Sequence, residues 1–169
     1  MQTDKQVFIQ LQELYSRHGY RVATGLNPAL FHGWPIVSFT AVFREGSSFR
    51  TGGGIAPMEV FFIEALMQQG HFRRVFVIGN AFGWSTFAFA LADRSAQVLA
   101  LDAGIEGEDN LEGIRLTNEI AQVEGLHVEC VQGFSPQDVG RVISEKMDGL
   151  PDLVFIDGLH TDAQVRKDF

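Results

Sequence analysis

Arg74-Val75-Phe76-Val77-Ile78-Gly79-Asn80-Ala81-Phe82-Gly83-Trp84-Ser85-Thr86 reads as a strand, a glycine turn and the start of a helix. The first five residues are a short apolar run rich in β-branched side chains, the pattern of a strand buried on both faces. The next five place two glycines in a small-residue turn, and an apolar helix follows over 84–92. Glycines in such a turn let backbone approach a ligand closely, and the helix start offers N–H groups with no intrahelical partner. A tight strand-to-helix turn with no ligand would have the same residues.

Downstream the same alternation repeats. Strands are expected over 97–101, 127–132 and 153–157, and helices over 110–124 and 136–146 and from Thr161 onward. Short strands alternating with longer helices imply right-handed βαβ crossovers. The fold class is therefore α/β, a Rossmann-like, mostly parallel sheet with helices on both faces and a short C-terminal side. Ligands in such folds sit beyond the carboxyl ends of the strands, near the topological switch point.

Upstream the pattern is less regular. Pro57 suits the first turn of a helix over 57–69 with Gly70 as its stop, and Met58, Val60, Phe61, Phe62, Ile63, Leu66 and Met67 make it apolar almost all round, so it is expected to be largely buried. Residues 20–56 are irregular and rich in Gly, Pro and Ser, apart from a strand-like run over 35–43. At the start, Thr3 and Gln6 have capping-box spacing, and Val7, Phe8, Leu11, Leu14 and Tyr15 recur with helical period until Gly19. The expected organisation is an extension over 1–56 and a cofactor-binding core over 57–169, together one domain.

The whole-chain numbers bound the function. A length of 169 residues, 46% of them hydrophobic and 20% charged, suits one domain with a real core. The formal charge of −8 argues against nucleic-acid or anionic-membrane binding, which needs clustered Lys and Arg, and favours a small or neutral substrate. The opening residues are polar and the apolar runs are too short to span a bilayer, so a cytoplasmic setting is expected. Cys130, the single cysteine, lies in an apolar alternation and is expected to be buried and inert.

Asp102 closes the second regular strand a little over twenty residues beyond Gly79, where a carboxylate can accept the hydroxyl protons of a ribose or, alternatively, cap the following turn. The dinucleotide pattern G-x-G-x-x-G, laid on Gly79, has Ala81 and Trp84 at its second and third glycine positions. Trp84 would obstruct the close packing that the third glycine permits, so NAD is disfavoured.

Val77-Ile78-Gly79-Asn80-Ala81-Phe82-Gly83-Trp84-Ser85-Thr86 resembles the first motif of class I S-adenosylmethionine-dependent methyltransferases, in their E-x-G-x-x-x-G-x-S-T form. Phe155-Ile156-Asp157-Gly158-Leu159-His160 resembles the I-D-G-x-H signature of their small-molecule O-methyltransferases. The resemblance runs in order from Pro57 to the end of the chain. It implies S-adenosylmethionine held by Gly79, Asn80, Ala81, Phe82, Gly83 and Ser85, with Asp102 on the ribose and Phe134 and Ser135 on the adenine side. Phe82, Trp84 and Phe134 could equally be packing residues. Ser135, followed by Pro136 and Asp138, has the spacing to cap the next helix whether or not adenine is present.

Asp157 and His160 are the candidate catalytic pair. They could share a divalent cation such as Mg²⁺, with Asp157 as its ligand, or take the acceptor's proton directly. A hydrogen bond from His160 to a helix end is the alternative. Two departures from the family stand out. Val77 occupies the usual position of an acid that orients the methionine end of the cofactor, and the chain stops where the family's sheet continues with three more strands. The open edge of the fourth strand is expected to be covered by the 35–43 strand, by a second subunit or by further chain, and self-association is expected from it. The function expected is methyl transfer, to a hydroxyl of a small molecule, against the alternative of a non-catalytic nucleotide-binding or assembly module on the same scaffold.

Overall fold

The computed structural model describes residues 5–24, 40–44, 54–105 and 108–168. Four parallel strands form the main sheet: β3 (Arg74–Ile78), β4 (Gln97–Asp102), β5 (Val128–Gln132) and β6 (Leu153–Ile156), in the spatial order β5-β4-β3-β6. The chain steps outward from β3 to β5 and then returns to lay β6 on the other side of β3. That reversal puts the switch point between the C-terminal ends of β3 and β6, at Gly79 and Asp157.

Strand alternation divides the core in two. Val75, Val77, Val98, Ala100 and Cys130 point to one face and share a cluster with α1 (Val7–Arg17), α2 (Pro57–Gly70), α3 (Trp84–Ala92) and α4 (Glu108–Glu124). Phe76, Ile78, Leu99 and Leu101 point to the other, where α5 (Val139–Lys146) supplies Val142. β3 and β4 are covered on both faces, which is why they read as unbroken apolar runs. Every residue of α3 from Trp84 to Leu91 is buried. Burying large side chains such as Trp84, Phe87 and Phe89 contributes about 1.5–3 kcal/mol each before the entropy of ordering them.

Several expectations change. α2 buries Val60, Ile63 and Met67 along one stripe against α1 and α3, but Met58 is 74% and Phe62 65% exposed, so the helix is not largely buried. Its all-round apolar sequence gives no sign of which face finds a neighbour. Within the stretch expected to be irregular lies a strand, β1 (Arg21–Thr24), and it pairs antiparallel with β2 (Thr40–Phe43) as a separate two-stranded sheet. The described part of the 35–43 run therefore pairs with β1 and does not cover β6; its first residues, like Thr3, lie outside the described residues. The residue flanking α1 is Gln6, which makes no side-chain cap.

Residues 135–138 are a turn, and α5 begins at Val139. Ser135 does not cap it. Asp138 occupies the N-cap position, its carboxylate accepts the Phe134 N–H at 2.8 Å, and the Ser135 hydroxyl donates instead to Asp168 at 2.6 Å on α6 (Asp162–Asp168). Cys130 is buried, and burial pushes its thiol pKa up. Among the described residues, no helix is long and apolar enough to cross a membrane.

Candidate functional site

The turn after β3 is built from backbone conformations that few residues tolerate. Gly79 has φ +89°, and a Cβ there would drive into the backbone carbonyl of Asp157, so the close approach of β3 and β6 at the switch point requires glycine. Ala81 also sits in the left-handed region, at φ 44°, a strained position for a residue with a side chain. Gly83 serves as N-cap of α3 with no side-chain cap. The N–H groups of the first turn of α3 therefore receive no cap from the residue that precedes the helix.

Asp102 locks this turn to the next. Its Oδ2 accepts the N–H groups of Asn80 and Ala81 at 2.7 and 2.9 Å, and its Oδ1 accepts that of Gly104 at 2.8 Å. A carboxylate offers about four lone-pair sites, so a further donor can still be accommodated at the exposed side of this largely buried group. Asn80 faces inward: its amide donates to the Thr117 hydroxyl and the Ala81 carbonyl, and its Oδ1 accepts the Thr86 hydroxyl. Thr117 in turn donates to the Gly113 carbonyl. The turn is pinned by this buried network to both α3 and α4.

These parts line a cavity of about 240 Å³ at the C-terminal ends of β3, β4 and β6. Gly79, Asn80, Ala81, Phe82, Ser85, Asp102, Phe134, Ser135, Asp157 and His160 all reach it, whereas Gly83 stands behind it at the start of α3. Phe134 and Ile105, 50% and 64% exposed, stand at one mouth of the cavity. Phe82 and Trp84 both line the cavity and pack in the core. The Tyr15 hydroxyl donates to the Phe82 carbonyl at 2.6 Å, and the Tyr15 and Trp84 rings lie 5.5 Å apart. The Trp84 indole N–H is buried without a hydrogen-bond partner among the described residues.

Asp157 and His160 meet at 3.1 Å, the carboxylate mostly buried and the imidazole 74% exposed. Burial raises the Asp157 pKa above its ordinary value; the His160 contact opposes this and the charge of Glu59 adds to it. Among the described residues no group of three or more His, Cys, Asp or Glu side chains gathers to hold a metal ion. Asp157 and His160 supply two donors, which falls short of a divalent-cation site. Val77 is fully buried on the helix-packed face of β3.

Some of the site was invisible in the sequence. Thr40, Val42 and Gly54 close one end of the cavity, brought there by β2 and a bridge between Thr40 and Gly54. Gln164 and Asp168 of α6 close the other, the Gln164 amide donating to the Ser135 carbonyl and to Asp168. Gly113 lets α4 rest on the Ala81 carbonyl, where any Cβ would collide. His18, which has no acidic neighbour at ligand spacing in the sequence, bonds Glu124 at 3.1 Å. None of these contacts has a local spacing signal, because each joins segments far apart in the chain.

No protein-family profile matches the chain. No curated protein matches it either. Among solved structures, a Staphylococcus aureus protein described as a caffeoyl-CoA O-methyltransferase superposes with a TM-score of 0.55 at 20% identity, over 69% of this chain and 51% of its own. An O-methyltransferase from Bacillus cereus, solved in complex with SAH, superposes with a TM-score of 0.53 at 15% identity, over 92% of this chain and 56% of its own. The chain spans about half the length of these methyltransferases and shares their fold.

Proposed function

We propose that the chain binds S-adenosylmethionine in the cavity at the ends of β3, β4 and β6 and serves methyl transfer to a hydroxyl of a small molecule. The observation that carries this reading is the turn of residues 79–83, held open by Asp102 beneath an uncapped helix start and facing a cavity. Bound there, the cofactor supplies a methyl group on a sulfonium, ready for in-line displacement. The protein's share is then to hold two reactants and exclude water.

The backbone of residues 79–83 and the first turn of α3 suit the amino-acid end, where N–H groups meet a carboxylate. Asp102 has a lone pair left for a ribose hydroxyl, and Phe134 with Ile105 offers two apolar surfaces for a flat base. Ser135 is held by Asp168 at that same end. A sulfonium tolerates the lining, whose carboxylates among the described residues are Asp102, Asp157 and Asp168. Asp157, with His160 beside it, is placed to take the proton of the acceptor hydroxyl, and its raised pKa makes it a better base than an ordinary carboxylate. No step here is assigned to a divalent cation.

The alternative, a non-catalytic module on the methyltransferase scaffold, is favoured by one observation: Val77 offers no carboxylate at the family's acidic position and faces the core. Calorimetric titration with S-adenosylmethionine and S-adenosylhomocysteine separates the two. Micromolar binding, weakened about ten-fold by Phe134→Ala with an unchanged unfolding midpoint, supports the cofactor site. Asp102→Ala should abolish binding, at some cost in stability because three backbone donors lose their acceptor. No binding at millimolar ligand would leave the scaffold without its cofactor function.

A further inference from the structure

Next to Phe134, three polar side chains from two separate segments line the cavity together: Ser135 from the loop after β5, and Gln164 and Asp168 from α6. They close a ring of hydrogen bonds. The Gln164 amide donates to the Ser135 carbonyl and to Asp168 Oδ1, both at 2.8 Å, and the Ser135 hydroxyl donates to the same Oδ1 at 2.6 Å. Both side-chain donors thus meet one oxygen of the carboxylate. The other, Oδ2, meets no donor among the described residues.

The carboxylate is held but not neutralised. Arg166, on the same helix, turns to Asp162, and no Lys or Arg among the described residues lines the cavity. Asp102 differs in this respect, because both of its oxygens already accept backbone N–H groups. Gln164 and Asp168 stand four residues apart and so share one face of α6, a helix that fully buries none of its side chains. The ring to Ser135 is therefore a polar tie between α6 and the loop after β5, and it fixes the side chain whose second oxygen stays unpaired. A carboxylate oxygen only accepts, so without a cation it calls for an N–H or O–H from a ligand.

We infer that Asp168 reads the cofactor's base: its Oδ2 accepts an N–H of the exocyclic amino group of adenine, and the site thereby rejects purines that carry an oxo group at that position. This assignment rests on the cofactor reading proposed above, which lays the flat base beside Phe134 and Ile105 and so brings its edge toward Ser135 and Asp168. An amino group presents a donor to the free oxygen. An oxo group presents lone pairs to it, and a site built to accept an N–H discriminates strongly against an analogue that lacks it. The selectivity for the base then comes from α6, through a side chain that the loop after β5 holds in place.

The test is calorimetric titration of the intact chain with S-adenosylhomocysteine and with S-inosylhomocysteine, its deaminated analogue, in which an oxo group replaces the amine. The wild type is expected to bind S-adenosylhomocysteine at least ten-fold more tightly. Asp168→Asn keeps an oxygen for Ser135 and Gln164 and turns an amide N–H₂ to the base in place of Oδ2. It should weaken S-adenosylhomocysteine and tighten the inosine analogue, so that their ratio falls to one or below. A tie that is only structural would instead weaken both ligands together and leave the ratio as it was. Equal binding of the two ligands by the wild type, or an unchanged ratio in an Asp168→Asn protein with the wild-type unfolding midpoint, would each overturn the assignment while the cofactor site stands. Failure of S-adenosylhomocysteine itself to bind would overturn the cofactor reading, and the role of Asp168 with it.

Discussion

At the scale of single residues, the site depends on side chains that serve the protein before they serve a ligand. Thr117 is fully buried and lies on α4, yet it holds the Asn80 amide. Thr117→Val leaves that amide without one partner and should cost about 1–3 kcal/mol in urea denaturation, with weaker S-adenosylhomocysteine binding as the turn loosens. An unchanged midpoint would show that the network is not holding the turn. Asp157 carries a pH signature. Burial lifts its folded-state pKa above 3.8, so the native state prefers the protonated acid. The contribution is present in full below the unfolded value and is lost as pH rises through the folded one. Asp157→Asn removes that loss, so as pH rises above the ordinary carboxylate range the variant should gain stability relative to the wild type; a pH-independent difference would contradict the assignment. Glycine spacing made the turn at Gly79 and Gly83 legible in the sequence, and a strand-end position did the same for Asp102. The role of Thr117 was not legible, because a threonine inside a helix looks the same whether or not a distant amide needs it.

At the scale of elements, the turn after β3 is clamped from both sides. From α1, the Tyr15 hydroxyl reaches the Phe82 carbonyl, and Arg17 and His18 hold Glu124 at the end of α4. Tyr15→Phe removes a fully buried donor and should cost about 1–3 kcal/mol by denaturation. From α4, Gly113→Ala would push a methyl group into the Ala81 carbonyl. That substitution should weaken S-adenosylhomocysteine binding about ten-fold even though alanine is the better helix former by roughly 1 kcal/mol. Tighter binding or a more stable helix with unchanged affinity would show that α4 does not rest on the turn. Periodicity placed most helices and strands well. It failed for α2, whose outer face stays exposed, and for the first turn of α5, where the Ser-Pro-x-Asp pattern suggests a cap at Ser135 but the helix starts after Asp138, whose carboxylate turns back to the Phe134 N–H.

At the scale of the whole molecule, β6 is the outer strand of the sheet and no strand lies beyond it among the described residues. Val154 on that strand is 47% exposed, and Met58 and Phe62 of α2 stand exposed as well. Open edges of parallel sheets are normally covered, and the proposed self-association follows from this one. Light scattering at micromolar concentration should give a mass above that of the 18.7 kDa chain, and Val154→Lys should return it to monomer. A monomeric wild type would remove the proposal.

The sequence by itself determined the α/β class, the order of the regular strands and helices, and the glycine turn facing a strand-end acid, because these follow from periodicity and backbone conformation over a few residues. Only the tertiary structure decided that β1 and β2 form their own sheet, that Thr40, Val42 and Gly54 close one end of the cavity, and that Ser135 is held by α6. Those outcomes turn on which distant surfaces meet. Local spacing carries no record of such meetings, since a hydroxyl or an apolar face is satisfied by any partner that packing brings within reach.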